Sequence, residues 1–118
     1  MAAKDILGRR GEDIAAAALV AKGYLVVDRN WRCPLGELDI VAVDGAETVF
    51  VEVKTRSGLG FGHPFESVTP VKLARLRRLA AAWCEAHPGE HDLIRLDVIA
   101  VIVPAHGEPT VEHLERVF

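Results

Sequence analysis

Acidic side chains and a lysine recur at alternate positions in two neighbouring stretches of the sequence. Glu37 and Asp39 stand in the first stretch, and Glu52 and Lys54 stand in the second. Both stretches alternate in the manner of β-strands, in which side chains two residues apart point to the same face. Carboxylate oxygens, without thiolates or paired histidines, suit Mg²⁺ or Mn²⁺ better than zinc. The pattern predicts a divalent-cation site with a lysine beside it.

The register of the hairpin between these stretches decides whether their charged faces coincide. A turn that pairs Val43 with Thr48 places Asp39 opposite Glu52. A shorter turn that pairs Val43 with Ala46 still leaves all four charged side chains on one face, whereas a three-residue loop would separate them. Directly opposed side chains have Cβ atoms about 4.5–5.5 Å apart, and two carboxylates that close repel unless a cation lies between them. We expect the register that opposes Asp39 and Glu52, because it offers both carboxylates to one metal ion.

The alternative interpretation is a solvated face of the sheet in which Glu37 and Lys54 form a cross-strand ion pair. Each acid taken alone favours this alternative, because charged residues are mostly exposed. The combination favours the cation site, because an Asp in one strand and a Glu-x-Lys in the next share one face.

The elements that must position these residues predict an α/β fold. An alanine-rich helix from about Lys4 to Lys22 precedes three strands, and a second helix begins at Pro70 behind the N-cap Thr69. An aliphatic run at 96–103 is typical of a strand covered on both faces, so a strand, a helix and a buried strand imply a parallel crossover. We therefore predict a mixed sheet flanked by helices, in the order α-β-β-β-α-β plus a C-terminal element. The three strands are predicted near 24–31, 36–43 and 48–54, and the C-terminal stretch 111–117 fits a strand or a helix.

Length and charge limit the class of protein. A chain of 118 residues, half of them hydrophobic, predicts a single domain over 1–118 with its own core. The net charge of −3 excludes a simple basic coat for nucleic acid. The charge is uneven: Glu52 to Arg78 holds six bases and two acids, whereas the chain from Trp83 onward holds seven acids and two bases. Two separated cysteines and the lack of a long apolar stretch predict a cytoplasmic protein.

Short motifs extend along nearly the whole chain, to about Val103. They are Gly8-Arg-Arg-Gly-Glu12, Gly23-Tyr24, Asn30-Trp-Arg32, Gly36-Glu-Leu-Asp39-Ile40, Phe50-Val-Glu52-Val-Lys54-Thr-Arg56 and Arg95-Leu-Asp97-Val-Ile. This series resembles the YraN-like family of small bacterial proteins, which is related to archaeal Holliday-junction resolvases. Asp39 with Glu52-x-Lys54 also resembles the PD-(D/E)xK nuclease motif, although Leu38 stands where that motif has proline. The resemblance implies a restriction-endonuclease-like fold.

The resemblance also implies roles for individual residues. Asp39 and Glu52, with the backbone carbonyl of Val53, match the ligands of Mg²⁺ or Mn²⁺. Lys54 matches the lysine that orients or helps to deprotonate the attacking water, and Glu12 matches the acid on the first helix. Glu12 has an alternative role, because an acid in the first turns of a helix interacts favourably with the helix dipole. The implied activity is a metal-dependent endonuclease that hydrolyses phosphodiester bonds in DNA, with these four side chains as its catalytic residues.

Basic residues near this site are candidates for contact with the DNA backbone. They are Arg56, Lys72, Arg75 and Arg78. The last three recur every three residues on the second helix, where a solvated helix face is the alternative. Glu37 and Thr55 are expected beside the catalytic residues without taking part in the reaction. In the glycine-rich loop, Phe61, His63 and Phe65 could pack on exposed bases, or the segment could be an ordinary surface loop.

The size of the chain bears on its substrate. Because 118 residues leave no room for a separate recognition domain, we expect branched or flapped DNA rather than a base-specific duplex site, and a role in DNA repair or recombination. A homodimer is implied by analogy with the resolvases. The alternative is a non-catalytic module on the same fold that binds nucleic acid or a protein. Clustered acids favour the enzyme, because binding alone does not require them.

Overall fold

The computed structural model describes residues 3–58, 60, 62–89, 91 and 93–117. Within these ranges a mixed sheet lies between two helices, α1 (Ala3–Ala21) and α2 (Pro70–Ala86), and a 3₁₀ helix spans Pro64–Ser67. The strands are β1 (Leu25–Cys33), β2 (Gly36–Asp44), β3 (Glu47–Arg56), β4 (Ile94–Ile102) and β5 (Thr110–Leu114). Phe61 of the glycine-rich loop lies outside the described residues, so its contact with bases stays a prediction.

The sheet confirms the predicted α/β architecture. Its strands lie in chain order from β1 to β5; β3 and β4 are parallel, and the other neighbours are antiparallel. The parallel pair is joined through α2, since parallel neighbours need a crossover connection. The C-terminal stretch, which fits a strand or a helix by sequence, is the edge strand β5. This arrangement is consistent with a restriction-endonuclease-like α/β fold.

Each face of the sheet packs against one helix, because side chains along β3 alternate between the two faces. Val49 and Val51 lie in a core with Leu19 of α1. Phe50, between them in sequence, packs on the other face, where its ring lies 5.7 Å from that of Trp83 in α2. Full burial of such side chains contributes about 1.5–3 kcal/mol each, so the two layers fix both helices on the sheet. The described part of the chain holds no helix with the length and hydropathy of a membrane span.

The β2–β3 hairpin adopts the expected register. Val43 pairs with Thr48, and a tight turn at Gly45 closes the hairpin. Gly45 has a φ of 60°, a left-handed conformation that glycine adopts at little cost. The ladder runs from this turn to the pair of Ile40 and Val51. Register and turn chemistry therefore agree, as the sequence predicts.

The helix α1 approaches β3 closely at Gly11. A Cβ atom at this position would lie 2.7 Å from the Cβ atom of Thr55, closer than side chains can pack. Only glycine therefore fits where the helix crosses the strand. The next residue is Glu12, so this contact brings its carboxylate to the sheet.

Gly11→Ala should destabilise the protein, because the added methyl group forces α1 away from Thr55. We expect a loss of about 1–3 kcal/mol in the free energy of unfolding, the usual cost of overpacking. Gly8→Ala in the same helix is the matched control: nothing lies within 4 Å of a Cβ atom there, and alanine is favoured over glycine in helices by up to about 1 kcal/mol. Chemical denaturation of both variants measures the difference. Equal stabilities would contradict the close packing at Gly11.

Candidate functional site

The strands β2 and β3 separate where the site begins. Their ladder ends at the pair of Ile40 and Val51. Asp39 is the residue of β2 just before Ile40. Its side chain accepts a hydrogen bond from the backbone N–H of Val53 at 2.8 Å. A carboxylate oxygen thus takes the place of a backbone carbonyl as the acceptor and bridges the two strands. The pairing that positions Asp39 is therefore a side-chain contact rather than a regular ladder.

The faces of β2 change at the same point, and the expected strict alternation is wrong here. Alternation predicts Leu38 on the face of Ile40, but Leu38 packs with Val41 against α2, whereas Ile40 packs against α1. The cause lies in the neighbouring strands. Ladder pairing with β3 has ended at this level, and Asn30 of β1, opposite Asp39 in the register, has a left-handed φ of 53°. The backbone of β2 is therefore free to turn between Leu38 and Ile40.

Three carboxylates meet beside this break in the ladder. Glu12 of α1 and both Glu37 and Asp39 of β2 each place an oxygen within 4.8 Å of the others. Glu12 reaches them because Gly11 allows the helix to approach β3. The structure thus brings together two of the predicted catalytic residues, with Glu37 directly beside them.

Asn30 also lies in the site, although the resemblance at Asn30-Trp-Arg32 implies no role for it. With its amide oriented so that the nitrogen faces the carboxylates, Asn30 donates to Glu12 at 2.7 Å and to Glu37 at 2.9 Å. One signal in the sequence points to a special backbone here, because asparagine is disfavoured in strands and tolerates left-handed dihedrals. Its two partners lie on other elements, so spacing along the chain could not identify them.

Burial and crowding favour the protonated form of Asp39. Burial is the largest cause, and the charge of Glu52 is the next. Glu12 and Glu37 add to the effect and the Val53 N–H opposes it, with the result that the pKa of Asp39 is raised to about 8. The pKa of Glu12 is raised as well, first by burial and then by Glu37. Such mutual repulsion among carboxylates is relieved when a cation lies between them.

Glu52 and Lys54 lie two residues apart on the face of β3 that is turned toward α2. Glu52 Oε1 and Lys54 Nζ form an ion pair of 3.3 Å. Both side chains line a small cavity of about 70 Å³ together with Lys72 and Arg75 of α2. Glu37 pairs not with Lys54, as the solvated-face alternative requires, but with an arginine of β1 at 3.0 Å. The structure therefore places two of the predicted DNA-contacting bases beside the predicted Glu-x-Lys pair.

The remaining predicted residues lie around this centre. Thr55 packs against α1, and Arg56 donates from Nη1 to the Thr55 carbonyl at 2.9 Å. Both line an open cavity of about 320 Å³ that also includes Val53 and Lys54. Arg78 is exposed on α2, outside the residues that line the small cavity at Lys54. The exposed face of α2 thus begins at the site and extends away from it.

A larger groove of about 830 Å³ opens on the side of α1 and β1. Glu12 and Glu37 line it together with Arg9, Arg29 and Arg32. Arg29 is paired with an acid of α1 at 2.8 Å, and Arg32 is paired with Glu37 at 3.0 Å. The acids of the site therefore have bases of α1 and β1 on one side and bases of α2 on the other.

Comparison with known proteins agrees with the motifs. Residues 11–101 match the family described as "Uncharacterised protein family UPF0102". A UPF0102 protein of an Arthrobacter species is 56% identical over 99% of this chain and 99% of its own. One of Beutenbergia cavernae is 57% identical over the same shares, and one of Frankia casuarinae is 52% identical over the whole of both chains. This chain belongs to the UPF0102 (YraN) family.

A second group of ligand-type side chains in this UPF0102 protein has the opposite electrostatics. Asp97, His113 and Glu115 also place one atom each within 4.8 Å of one another. Arg95 donates to Asp97 at 3.0 Å from both Nε and Nη2, and His113 lies 2.7 Å away. Although burial opposes it, hydrogen bonds from His113 and Arg95 lower the pKa of Asp97. Donors of the protein thus already compensate Asp97, whereas Asp39, with its raised pKa, is the carboxylate that fits a cation.

The raised pKa of Asp39 predicts that the metal-free protein loses stability as the pH rises. Asp39 keeps its proton in the folded protein up to about pH 8, but in the unfolded chain only below its ordinary pKa of 3.8. The stabilisation is complete below that value and is lost between about pH 4 and pH 8, at up to about 1.4 kcal/mol per pH unit. Urea denaturation in EDTA across this range measures the slope.

Asp39→Asn is the comparison variant, because its amide oxygen can still accept the Val53 N–H but carries no titrating proton. Its free energy of unfolding should change less steeply with pH over the same range. All other titrating groups are shared, so the difference between the two curves belongs to position 39. Superimposable slopes would mean that folding does not raise the pKa of Asp39.

Proposed function

We propose that this protein is a Mg²⁺- or Mn²⁺-dependent endonuclease that hydrolyses phosphodiester bonds in DNA. The observation that carries the proposal is the meeting of Glu12, Glu37 and Asp39 at the end of the β2–β3 ladder. The pKa of Asp39 is raised there, and the Glu52–Lys54 pair lies on the neighbouring strand β3. Such crowding costs stability unless a cation relieves it, and a surface that only binds nucleic acid gains nothing from it. The resemblance to resolvases supports branched or flapped DNA as the substrate, within DNA repair or recombination in the cytoplasm.

The residues proposed to hold the cation are Asp39 and Glu52, with the backbone carbonyl of Val53; of these, Asp39 lies in the acid cluster with Glu12 and Glu37, and Glu52 is near enough to raise the pKa of Asp39. All of these donors are oxygen atoms, the ligands that Mg²⁺ and Mn²⁺ prefer. When bound, the cation would polarise the phosphate and lower the pKa of a water molecule. Asp39 must lose its proton to become a ligand, so cation binding near neutral pH is expected to release a proton.

Lys54 is proposed to supply positive charge beside the reacting phosphate. Its Nζ lies 3.3 Å from Glu52 Oε1, and 19% of its side chain is exposed. The ammonium group is therefore held at the margin of the site, where a substrate can reach it. From this position it can orient the attacking water and offset the negative charge that develops on the phosphate oxygens.

Bases on both sides of the acids support binding of a phosphate backbone across the site. Lys72 and Arg75 share the small cavity with Lys54, and Arg9 lines the groove toward α1. A backbone laid over the acids would therefore meet positive charge before and after them, which holds it by phosphate contacts without reading its sequence. The net charge of −3 limits attachment elsewhere on the surface.

Incubation of the purified protein with branched, flapped and single-stranded DNA in Mg²⁺ or Mn²⁺ tests this proposal. We expect cleavage of branched or flapped DNA, and its loss in Asp39→Ala and Glu52→Ala because each change removes a proposed ligand. Lys54→Ala should slow cleavage by about 10²–10⁴-fold, the usual contribution of a positioned acid–base group. Glu108→Gln changes an exposed acid outside the site and should cleave at the wild-type rate.

Undiminished turnover in Asp39→Ala or Glu52→Ala would rule out this metal site. Binding of branched DNA by the wild-type protein without cleavage in either metal would favour the non-catalytic nucleic-acid-binding module. Binding of none of the three DNA substrates would favour a protein-interaction module on the same fold.

The salt dependence of DNA binding tests the contribution of α2. The slope of log affinity against log salt concentration is roughly −0.9 per phosphate contact on duplex. Combining Arg75→Ala with Arg78→Ala should therefore reduce the slope by up to about 2 on a branched substrate in EDTA. Arg10→Ala is the control, because Arg10 is exposed on α1 outside the residues that line the groove. Coincident slopes for the wild type and the double variant would show that the α2 face is only solvated.

A further inference from the structure

Asn30 occupies a backbone position that restricts its residue type. It lies in β1 opposite Asp39 in the register, and its φ of 53° is left-handed. Glycine adopts this region most readily and asparagine is among the few side chains that tolerate it, whereas most others are strained. Glycine would serve the backbone at least as well. The backbone alone therefore does not account for an asparagine here.

The side chain of Asn30 accounts for the choice. Its Nδ2 donates to Glu12 Oε1 at 2.7 Å and to Glu37 Oε1 at 2.9 Å. A primary amide has two N–H groups, so each carboxylate receives one of them. Glycine has no side-chain donor, and an ionised aspartate has only acceptors. Asparagine satisfies the backbone and both carboxylates without adding a charge.

The two acceptors belong to different elements and repel each other. Glu12 comes from α1 and Glu37 from β2, and both belong to the group whose oxygens lie within 4.8 Å of one another. Without a donor between them, the two carboxylates would separate into the open groove that both line. We infer that Asn30 is a positioning residue that holds Glu12 and Glu37 together beside Asp39, the proposed ligand of the divalent cation. This inference rests on the proposed function.

Asn30→Gly tests the inference, because glycine keeps the left-handed backbone and removes only the amide. We expect the dissociation constant of Mn²⁺, titrated into the metal-free protein, to rise by about 10–100-fold, the usual effect of losing a hydrogen bond that supports a metal site from outside its ligands. Cleavage of branched DNA should need correspondingly more Mn²⁺ but reach a similar rate at saturation. Thermal melting of the metal-free variant establishes that it is folded before the titration.

Arg116→Gly is the matched control. Arg116 has the same φ of 53° and also donates to a carboxylate, that of Glu47 at the turn end of the β2–β3 hairpin. It should melt at a lower temperature than the wild type with no change in the Mn²⁺ dissociation constant. The same behaviour in Asn30→Gly would mean a merely structural role and would overturn the inference. A wild-type protein that binds no Mn²⁺ would overturn the proposed function and the inference together, so the two failures are distinguishable.

Discussion

The hydrogen bond from the Val53 N–H to the Asp39 carboxylate joins the fold to the site. Regular pairing would give this N–H a backbone carbonyl as its acceptor instead of the Asp39 side chain. Because the carboxylate takes that place, the strands part and β2 changes face, and Asp39 becomes buried among other acids. The perturbed pKa of Asp39 therefore follows from one exception to the ladder rather than from an unusual residue.

The charged side chains at the two ends of the β2–β3 hairpin differ in whether opposite charges compensate them. At the turn end, the buried Arg95 donates to Asp44, to Asp97 and to the hydroxyl of Tyr24, so that each charge there has a partner. A buried ion network of this kind adds little net stability, but removing one member is costly, and it fixes β2 and β4 relative to β1. At the other end, the acids near Asp39 oppose one another. The compensated end holds the sheet in place, and the end with opposed acids is the candidate cation site.

The parts of the structure that sequence could predict are those decided by local rules. The register that pairs Val43 with Thr48 follows from turn chemistry and alternation. The cap at Thr69 follows from its hydroxyl, which accepts the Lys72 N–H at 3.2 Å. The position of Leu38 could not be predicted, because alternation assumes that both neighbouring strands stay paired.

The other features of the site that the sequence could not predict depend on contacts between distant elements. Glu12 could be assigned a role by resemblance, but its approach to β3 depends on Gly11 packing against Thr55, a contact across the fold. Asn30 touches a helix and a second strand at once. Nothing in the spacing of a single chain encodes either arrangement, since both depend on how α1 lies across the sheet.

The charge that the site presents to a polyanion differs from its count of acids. Asp39, with a pKa of about 8, is largely neutral at pH 7 in the metal-free protein, and the pKa of Glu12 is raised too. Part of the negative charge of Glu37 and Glu52 is offset by the bases with which they pair. A divalent cation at the proposed site would replace the Asp39 proton as the compensating charge. Under the proposed function, the Asp39 proton in the metal-free protein and a cation in the loaded protein would each reduce the negative charge of the cluster, so that a phosphate backbone would meet less repulsion than from fully ionised, bare carboxylates.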